Sequence, residues 1–377
     1  RFLDFASQIA SNPLGYNHPK LRNVIKKISK TFPIKFAGQD FATKKHLEML
    51  EAITEISPNG MNSAFLTNSG AEAVENAIKI CMRKRPQTKY SISLEGAFHG
   101  RTLGALSLHH SNPVHKKNYI LEPNLKLPFS DKAPETLKKL IKKHTAKKIG
   151  FLILEHFQGE GGYKIPPTKM VKSLRNLCSK YNIPYIADEV QAGMGRTGKW
   201  WAFQHYGIKP DVFSSAKALQ VGATVASKEM FPKESGAISS TWGGGHIIDI
   251  SVGMKTIETI KKQNLLSQNT KLGNYIQKGL KKIPNLSDTR GRGLMIAFDV
   301  KNKKARDNLI IECAKNGLIV LGAGEKSIRV IPPYIISKND IDIGLNVIEK
   351  AIKTVNSKNF QHKGHVCNFM GCGDNPS

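Results

Sequence analysis

Residues 184–217 read PYIADEVQAGMGRTGKWWAFQHYGIKPDVFSSAK, and this stretch decides the fold. Two short apolar runs, Tyr185–Ala187 and Val212–Phe213, are partly β-branched or aromatic and are bounded by Pro and polar residues. Such runs read as strands buried on both faces, as in a parallel sheet. Each stops at a charge. Asp188 and Glu189 follow the first run without a break, and Lys217 follows the second after Ser214-Ser215-Ala216. Ligands of open α/β sheets sit beyond the carboxyl ends of the strands, so an acid and an amine are expected around one crevice.

An amine beside a carboxylate in such a crevice suits pyridoxal phosphate, whose aldehyde takes a lysine as a Schiff base and whose ring nitrogen needs an anion to keep its proton. Any single lysine among the 57 Lys and Arg carries little weight. The pair on adjacent strand ends, with the Gly-rich loop Gly193-Met194-Gly195-Arg196-Thr197-Gly198 between them, carries more.

At these residues the sequence resembles the class III aminotransferases of the fold-type I pyridoxal phosphate enzymes, and the resemblance runs from the N-terminus to about Tyr334. It implies an α/β fold: a large domain with a mostly parallel central sheet flanked by helices, plus a smaller α/β domain. It further implies that Asp188 faces the pyridine nitrogen, that Gln191 lies near the ring hydroxyl and that Lys217 carries the cofactor. The expected division is an N-terminal segment 1–25 packed on the small domain, a cofactor domain 26–245, a small domain 246–357 and a tail 358–377. The opening Arg1-Phe2-Leu3-Asp4 reads as the inside of a strand, and the resemblance implies a natural segment ahead of it.

Outward from the centre, Ala64–Thr67 reads as a strand and Asn68-Ser69-Gly70-Ala71-Glu72 turns it into a helix running to about Arg83. Ser69 and Glu72 have capping-box spacing. A helix N-terminus also offers free amides and a positive dipole end to a phosphate, and the resemblance gives the cofactor phosphate to Ser69, Gly70 and Ala71. Tyr90–Leu94 reads as a strand ending in Glu95-Gly96-Ala97-Phe98-His99-Gly100-Arg101. By resemblance Phe98 stacks on the pyridine ring, His99 joins the cofactor site and Arg101 clamps a substrate carboxylate, for which a planar guanidinium is suited. From His109 to about Lys148 the chain reads as a surface loop and one helix, Pro134–Lys143.

Phe151–Leu154 reads as a buried strand followed by Glu155-His156-Phe157-Gln158-Gly159-Glu160, with His156 where the family usually has proline. Glu160 matches the family's gate carboxylate and Arg329 its second gate residue. Thr241 matches a threonine that reaches the cofactor phosphate of a neighbouring subunit, which implies a homodimer. Gln220-Val221, Ser240–Gly244 and Arg290–Met295 resemble lysine 6-aminotransferases, and the N-terminal segment also resembles 4-aminobutyrate aminotransferases. The expected reaction therefore moves the terminal amine of lysine or 4-aminobutyrate to 2-oxoglutarate, giving glutamate and a semialdehyde, with acetylornithine or ornithine as the alternative donor. A decarboxylase, racemase or aminomutase on the same fold is a further alternative.

Composition narrows the rest. A chain of 377 residues supports two domains. No stretch approaches the ~20 apolar residues of a membrane span. Five scattered cysteines, Cys81, Cys178, Cys313, Cys367 and Cys372, show no framework spacing and fit a reducing cytoplasm. His362, His365, Cys367 and Cys372 have the chemistry of zinc ligands, but the spacing is tight and no second half-site exists, so they read as a tail and no metal is expected. The net charge of +28 raises the rival reading of a nucleic-acid-binding protein. The lysines are spread over polar helix faces without a nucleic-acid motif, so that partner is not expected.

Overall fold

The computed structural model describes residues 1–31, 43–234, 236–238, 244 and 246–357. Strand β1, Leu3–Asp4, is followed by β2 (Ser63–Thr67), β3 (Tyr90–Leu94), β4 (Asn124–Leu127), β5 (Ile149–Glu155), β6 (Tyr185–Asp188), β7 (Val212–Ser215) and β8 (Gly222–Ala226). Strands β2 to β8 form one seven-stranded sheet in the order β2-β8-β7-β6-β5-β3-β4. Only β8 runs against its neighbours. The carboxyl ends of β2, β3, β5, β6 and β7 consequently share one edge, and the chain turns at Lys217 to bring β8 back from it.

Every residue of the central strands β5, β6 and β7 is buried, and successive side chains alternate between the two faces of the sheet with the period of two that a pleated strand dictates. Phe151 and Ile153 of β5 pack with Val74, Ala77 and Cys81 of the helix Gly70–Arg83. Leu152 and Leu154 face the other way, against Leu137 of the helix Ala133–His144 and Met170 and Leu174 of the helix Thr168–Lys180. Both faces are covered, which is why these strands read as continuous apolar runs. Leu177 and Tyr181 are partly buried and pack at the margin of this cluster.

Two strands of this sheet escape the sequence reading. Asn124–Leu127 lies inside the stretch expected to hold only a loop and one helix, and it pairs in parallel with β3. Gly222–Ala226, GATVA, consists mainly of small residues, with Val225 its one larger apolar side chain. A second, antiparallel sheet has the order β12-β13-β10-β9, with β9 Ser287–Arg292, β10 Met295–Asp299, β12 Leu321–Ala323 and β13 Ser327–Val330. The run Leu318–Leu321 is split between two sheets. Leu318–Ile319 (β11) pairs with β1, and Leu321 begins β12.

Arg196 of the Gly-rich loop reaches from the large sheet into this second region. It is fully buried, donates to the carbonyls of Pro332 (2.5 Å) and Leu294 (3.3 Å), and lies 4.4 Å from the Tyr334 ring centroid. Gly293 permits the approach, because a Cβ there would stand 2.5 Å from the Arg196 carbonyl oxygen.

Candidate active site

Asp188 ends β6 at the shared edge and is 6% exposed. Its Oδ1 accepts the Val190 N–H at 3.0 Å and the Ser214 hydroxyl at 3.4 Å. Its Oδ2 lies 2.7 Å from His99 Nδ1. A carboxylate can only accept there, so Nδ1 carries the hydrogen, and His99 Nε2 is left buried without a protein partner. His99 is thus placed to orient Asp188.

Lys217 leaves β7 with φ +41°, a left-handed conformation that costs a non-glycine residue on the order of 1–3 kcal/mol and that collects at functional sites. The Gln220 side-chain amide braces the turn by donating to the carbonyls of Lys217 (2.9 Å) and Ser11 (2.7 Å). Burial, with Arg329 adding to it, pushes the Lys217 ammonium down to about 8, against the opposing pull of Asp188, Glu155 and Glu160. A substantial neutral fraction near neutral pH makes this amine a nucleophile and a base.

Beyond β2 the Ser69 hydroxyl caps the helix Gly70–Arg83 through the Glu72 N–H at 3.2 Å. The reciprocal half of the expected capping box is absent, because the Glu72 carboxylate accepts the Asn68 N–H at 2.7 Å instead. The first amides of a helix have no partner within it, and Ser69, Gly70 and Ala71 line the cleft. Glycine is required at the start of this helix, since a Cβ at Gly70 would meet Val190 Cγ1 at 2.7 Å.

Phe98 and Arg101 enter from the loop after β3. The Phe98 and Gly159 N–H groups both donate to the buried Glu155 carboxyl at 2.9 Å, which ties the ends of β3 and β5 together. Burial raises Glu155 to about 7, with Asp188 adding to the shift and His99 opposing it. Glu155 is a site residue that the sequence analysis above does not single out. Its signal in the sequence is the same as that of Asp188, a carboxylate at the carboxyl end of a buried parallel strand.

His156, beside it, is fully buried, with Nε2 3.0 Å from the Tyr185 hydroxyl, and its carbonyl accepts the Tyr206 hydroxyl at 3.1 Å. These contacts fix the loop where proline was expected. At its far end, Glu160 Oε2 stands 3.7 Å from Arg329 Nη2, an ion pair between a 39% exposed carboxylate and an 8% exposed guanidinium. Arg329 comes from β13 of the second sheet and lies 5.9 Å from the Tyr163 ring centroid. Its Nε and Nη1 are buried without partners. Gln8, Ile9 and Ser11 of the N-terminal segment also line the cleft, after a left-handed turn over Ser7–Ala10.

Ser69, Gly70, Ala71, Phe98, His99, Arg101, Glu160, Asp188, Gln191 and Lys217 therefore border one cavity of about 570 Å³, and Arg329 reaches its wall through Glu160. Thr241 lies outside the described residues, as do His362, His365, Cys367 and Cys372. The cavity fits pyridoxal phosphate. A helix N-terminus, an amine, a carboxylate and an aromatic ring converge on it, and Gln191 Oε1 is buried there with no protein partner.

These features define a class of enzyme that works through a lysine-held carbonyl cofactor. Residues 1–352 match the family described as aminotransferase class-III. Acetylornithine aminotransferase of Archaeoglobus fulgidus is 34% identical over 355 residues, covering 92% of this chain and 90% of that protein. Ornithine aminotransferase 2 of Staphylococcus saprophyticus is 31% identical, covering 94% and 90%. Among solved structures, lysine aminotransferase from M. tuberculosis superposes with a TM-score of 0.88 at 26% identity, covering 94% of this chain and 91% of that one. The chain belongs to the class III aminotransferases and is a pyridoxal-phosphate-dependent transaminase.

Proposed function

We propose that this transaminase moves the terminal amine of an ornithine-type donor, acetylornithine or ornithine, to 2-oxoglutarate. The products are glutamate and a semialdehyde. The observation that carries the ω-amine reading is the Glu160–Arg329 pair in the cleft wall. The choice of donor draws support from the relatives named above, whose likeness exceeds that to the lysine enzyme. This displaces the expectation of lysine or 4-aminobutyrate, which rested on short motifs after Lys217 and in the N-terminal segment.

When bound, pyridoxal phosphate supplies an electrophilic carbon for the amine and a ring that takes up electron density. Ser69, Gly70 and Ala71 would hold its phosphate, Phe98 its ring face, Gln191 its hydroxyl and Asp188, oriented by His99, the proton on its ring nitrogen. Lys217 Nζ anchors it at rest and, once free, moves the proton at the amine-bearing carbon of the substrate. Arg101 holds the carboxylate far from that carbon. Glu160 masks Arg329 while the donor is bound, so that the donor's α end is not drawn to the reacting position. It releases Arg329 for the carboxylate beside the ketone of 2-oxoglutarate.

A panel of acetylornithine, ornithine, lysine and 4-aminobutyrate ranked by kcat/KM tests the donor. Either ornithine-type donor should lead, and a lead for lysine or 4-aminobutyrate would overturn the choice. A homodimer is part of this proposal, because Thr241 matches a residue that acts across a subunit boundary. An active monomer, seen by light scattering at assay concentration, would contradict it.

A further inference from the structure

Phe98 and Arg101 are three residues apart on one loop, and a single buried side chain touches the backbone and ring between them. His109 follows the short helix Leu103–Ser107 and is 1% exposed. Its ring lies against Phe98, with centroids 4.3 Å apart and planes tilted by 37°. Its Nε2 accepts the Gly100 N–H at 3.3 Å. Phe98 borders the active cleft, whereas His109 does not and instead lines a separate cavity with His110 and Lys116. The Phe98 ring is therefore sandwiched between the cleft and His109.

We infer that His109 is a positioning residue which sets the cofactor platform and the substrate clamp together, backing Phe98 with its ring and holding with Nε2 the backbone that leads into Arg101. The inference rests on the roles proposed above for Phe98 and Arg101.

The anchor itself is rigid. The Leu108 carbonyl accepts the Ser93 hydroxyl at 2.7 Å, and the His110 N–H donates to the Ala97 carbonyl at 2.9 Å, so the segment is clamped to β3 on one side of His109 and to the loop after β3 on the other. His115 stands edge-on to Phe98 at 6.1 Å and lies 5.7 Å from the His109 ring, so it flanks both. Gly100 has little freedom to adjust on its own. Its φ is +129°, and a Cβ there would already stand 2.9 Å from that of Ala71, at the start of the helix that lines the cleft. Since Nε2 accepts a backbone N–H, the ring hydrogen sits on Nδ1. Burial, then His99, His115, Lys116 and Arg101, push His109 down to about 3, so the acceptor persists at any working pH.

The two contacts can be removed separately. His109→Phe keeps a ring behind Phe98 but loses the acceptor, and His109→Gln keeps an acceptor but loses the ring. Cofactor affinity is read by titrating the apoprotein with pyridoxal phosphate, and the clamp by KM for 2-oxoglutarate beside kcat. His109→Ala should weaken cofactor binding about fivefold and raise KM about fivefold. His109→Phe should restore cofactor affinity but not KM, and His109→Gln should restore KM but not cofactor affinity. Phe98→Ala and Arg101→Ala run alongside test the roles beneath. If Phe98→Ala leaves cofactor affinity and Arg101→Ala leaves KM unchanged, those roles fail and this inference with them. If both controls respond while the His109 variants are native-like, or impair both readouts in parallel, only the inference is overturned.

Discussion

Glu160 and Arg329 come from different sheets and meet 3.7 Å apart at the wall of the cleft, the carboxylate reaching solvent and the guanidinium almost buried. The exposed partner is the one free to leave, and its departure uncovers a cation whose Nε and Nη1 have no protein partners. That asymmetry suits a switch between two carboxylate patterns better than it suits a stabilising bridge. Because the carboxylate is 39% exposed and stands 3.7 Å away, the pair is screened by solvent on one side and is worth only about 1 kcal/mol. Glu160→Ala should therefore leave the melting temperature nearly unchanged. In single-turnover measurements it should slow the half-reaction with the ω-amine more than that with glutamate, by at least about fivefold. Equal slowing of both would reduce Glu160 to a structural residue.

Lys217 carries a pH dependence with a definite sign. Its ammonium is pushed down to about 8, well below the ordinary lysine value, so its charge is lost as pH rises through about 8. The neutral amine is the form that captures an aldehyde. Uptake of pyridoxal phosphate by the apoprotein, followed by absorbance, should accelerate from about pH 6 upward and level off above about 8. A rate that is flat over this range would contradict the account.

Arg196 offers a stability test away from the chemistry. Its buried guanidinium donates to two carbonyls and lies against the Tyr334 ring. Charged hydrogen bonds contribute roughly 1.5–3 kcal/mol each when broken. Arg196→Ala should destabilise the fold by about 2–4 kcal/mol, read by denaturant titration. Loss of less than about 1 kcal/mol would mean that the loop is held by other contacts.

Parts of this arrangement are legible in the sequence because parallel strands buried on both faces read as apolar runs. Asp188 and Lys217 could be placed at strand ends for that reason. β8 could not be read, since its GATVA sequence gains strand character from neighbours on both sides rather than from its own side chains. The polar β9, Ser287–Arg292, is partly exposed and depends on its pairing with β10. Glu155 stayed hidden because its importance comes from the Phe98 and Gly159 amides that meet it, and only the fold brings these together. The capping-box spacing of Ser69 and Glu72 marks the helix start, and Ser69 caps it, but the turn through Asn68 brings a different N–H to the Glu72 carboxylate.

The most direct test of the central claim, that this cleft transfers a terminal amine through Lys217, uses acetylornithine labelled at its terminal nitrogen and unlabelled 2-oxoglutarate. The purified chain loaded with pyridoxal phosphate should yield glutamate carrying the label, and Lys217→Ala should yield none. Absence of labelled glutamate from the native chain across acetylornithine and ornithine, or label transfer that survives in Lys217→Ala, would contradict it.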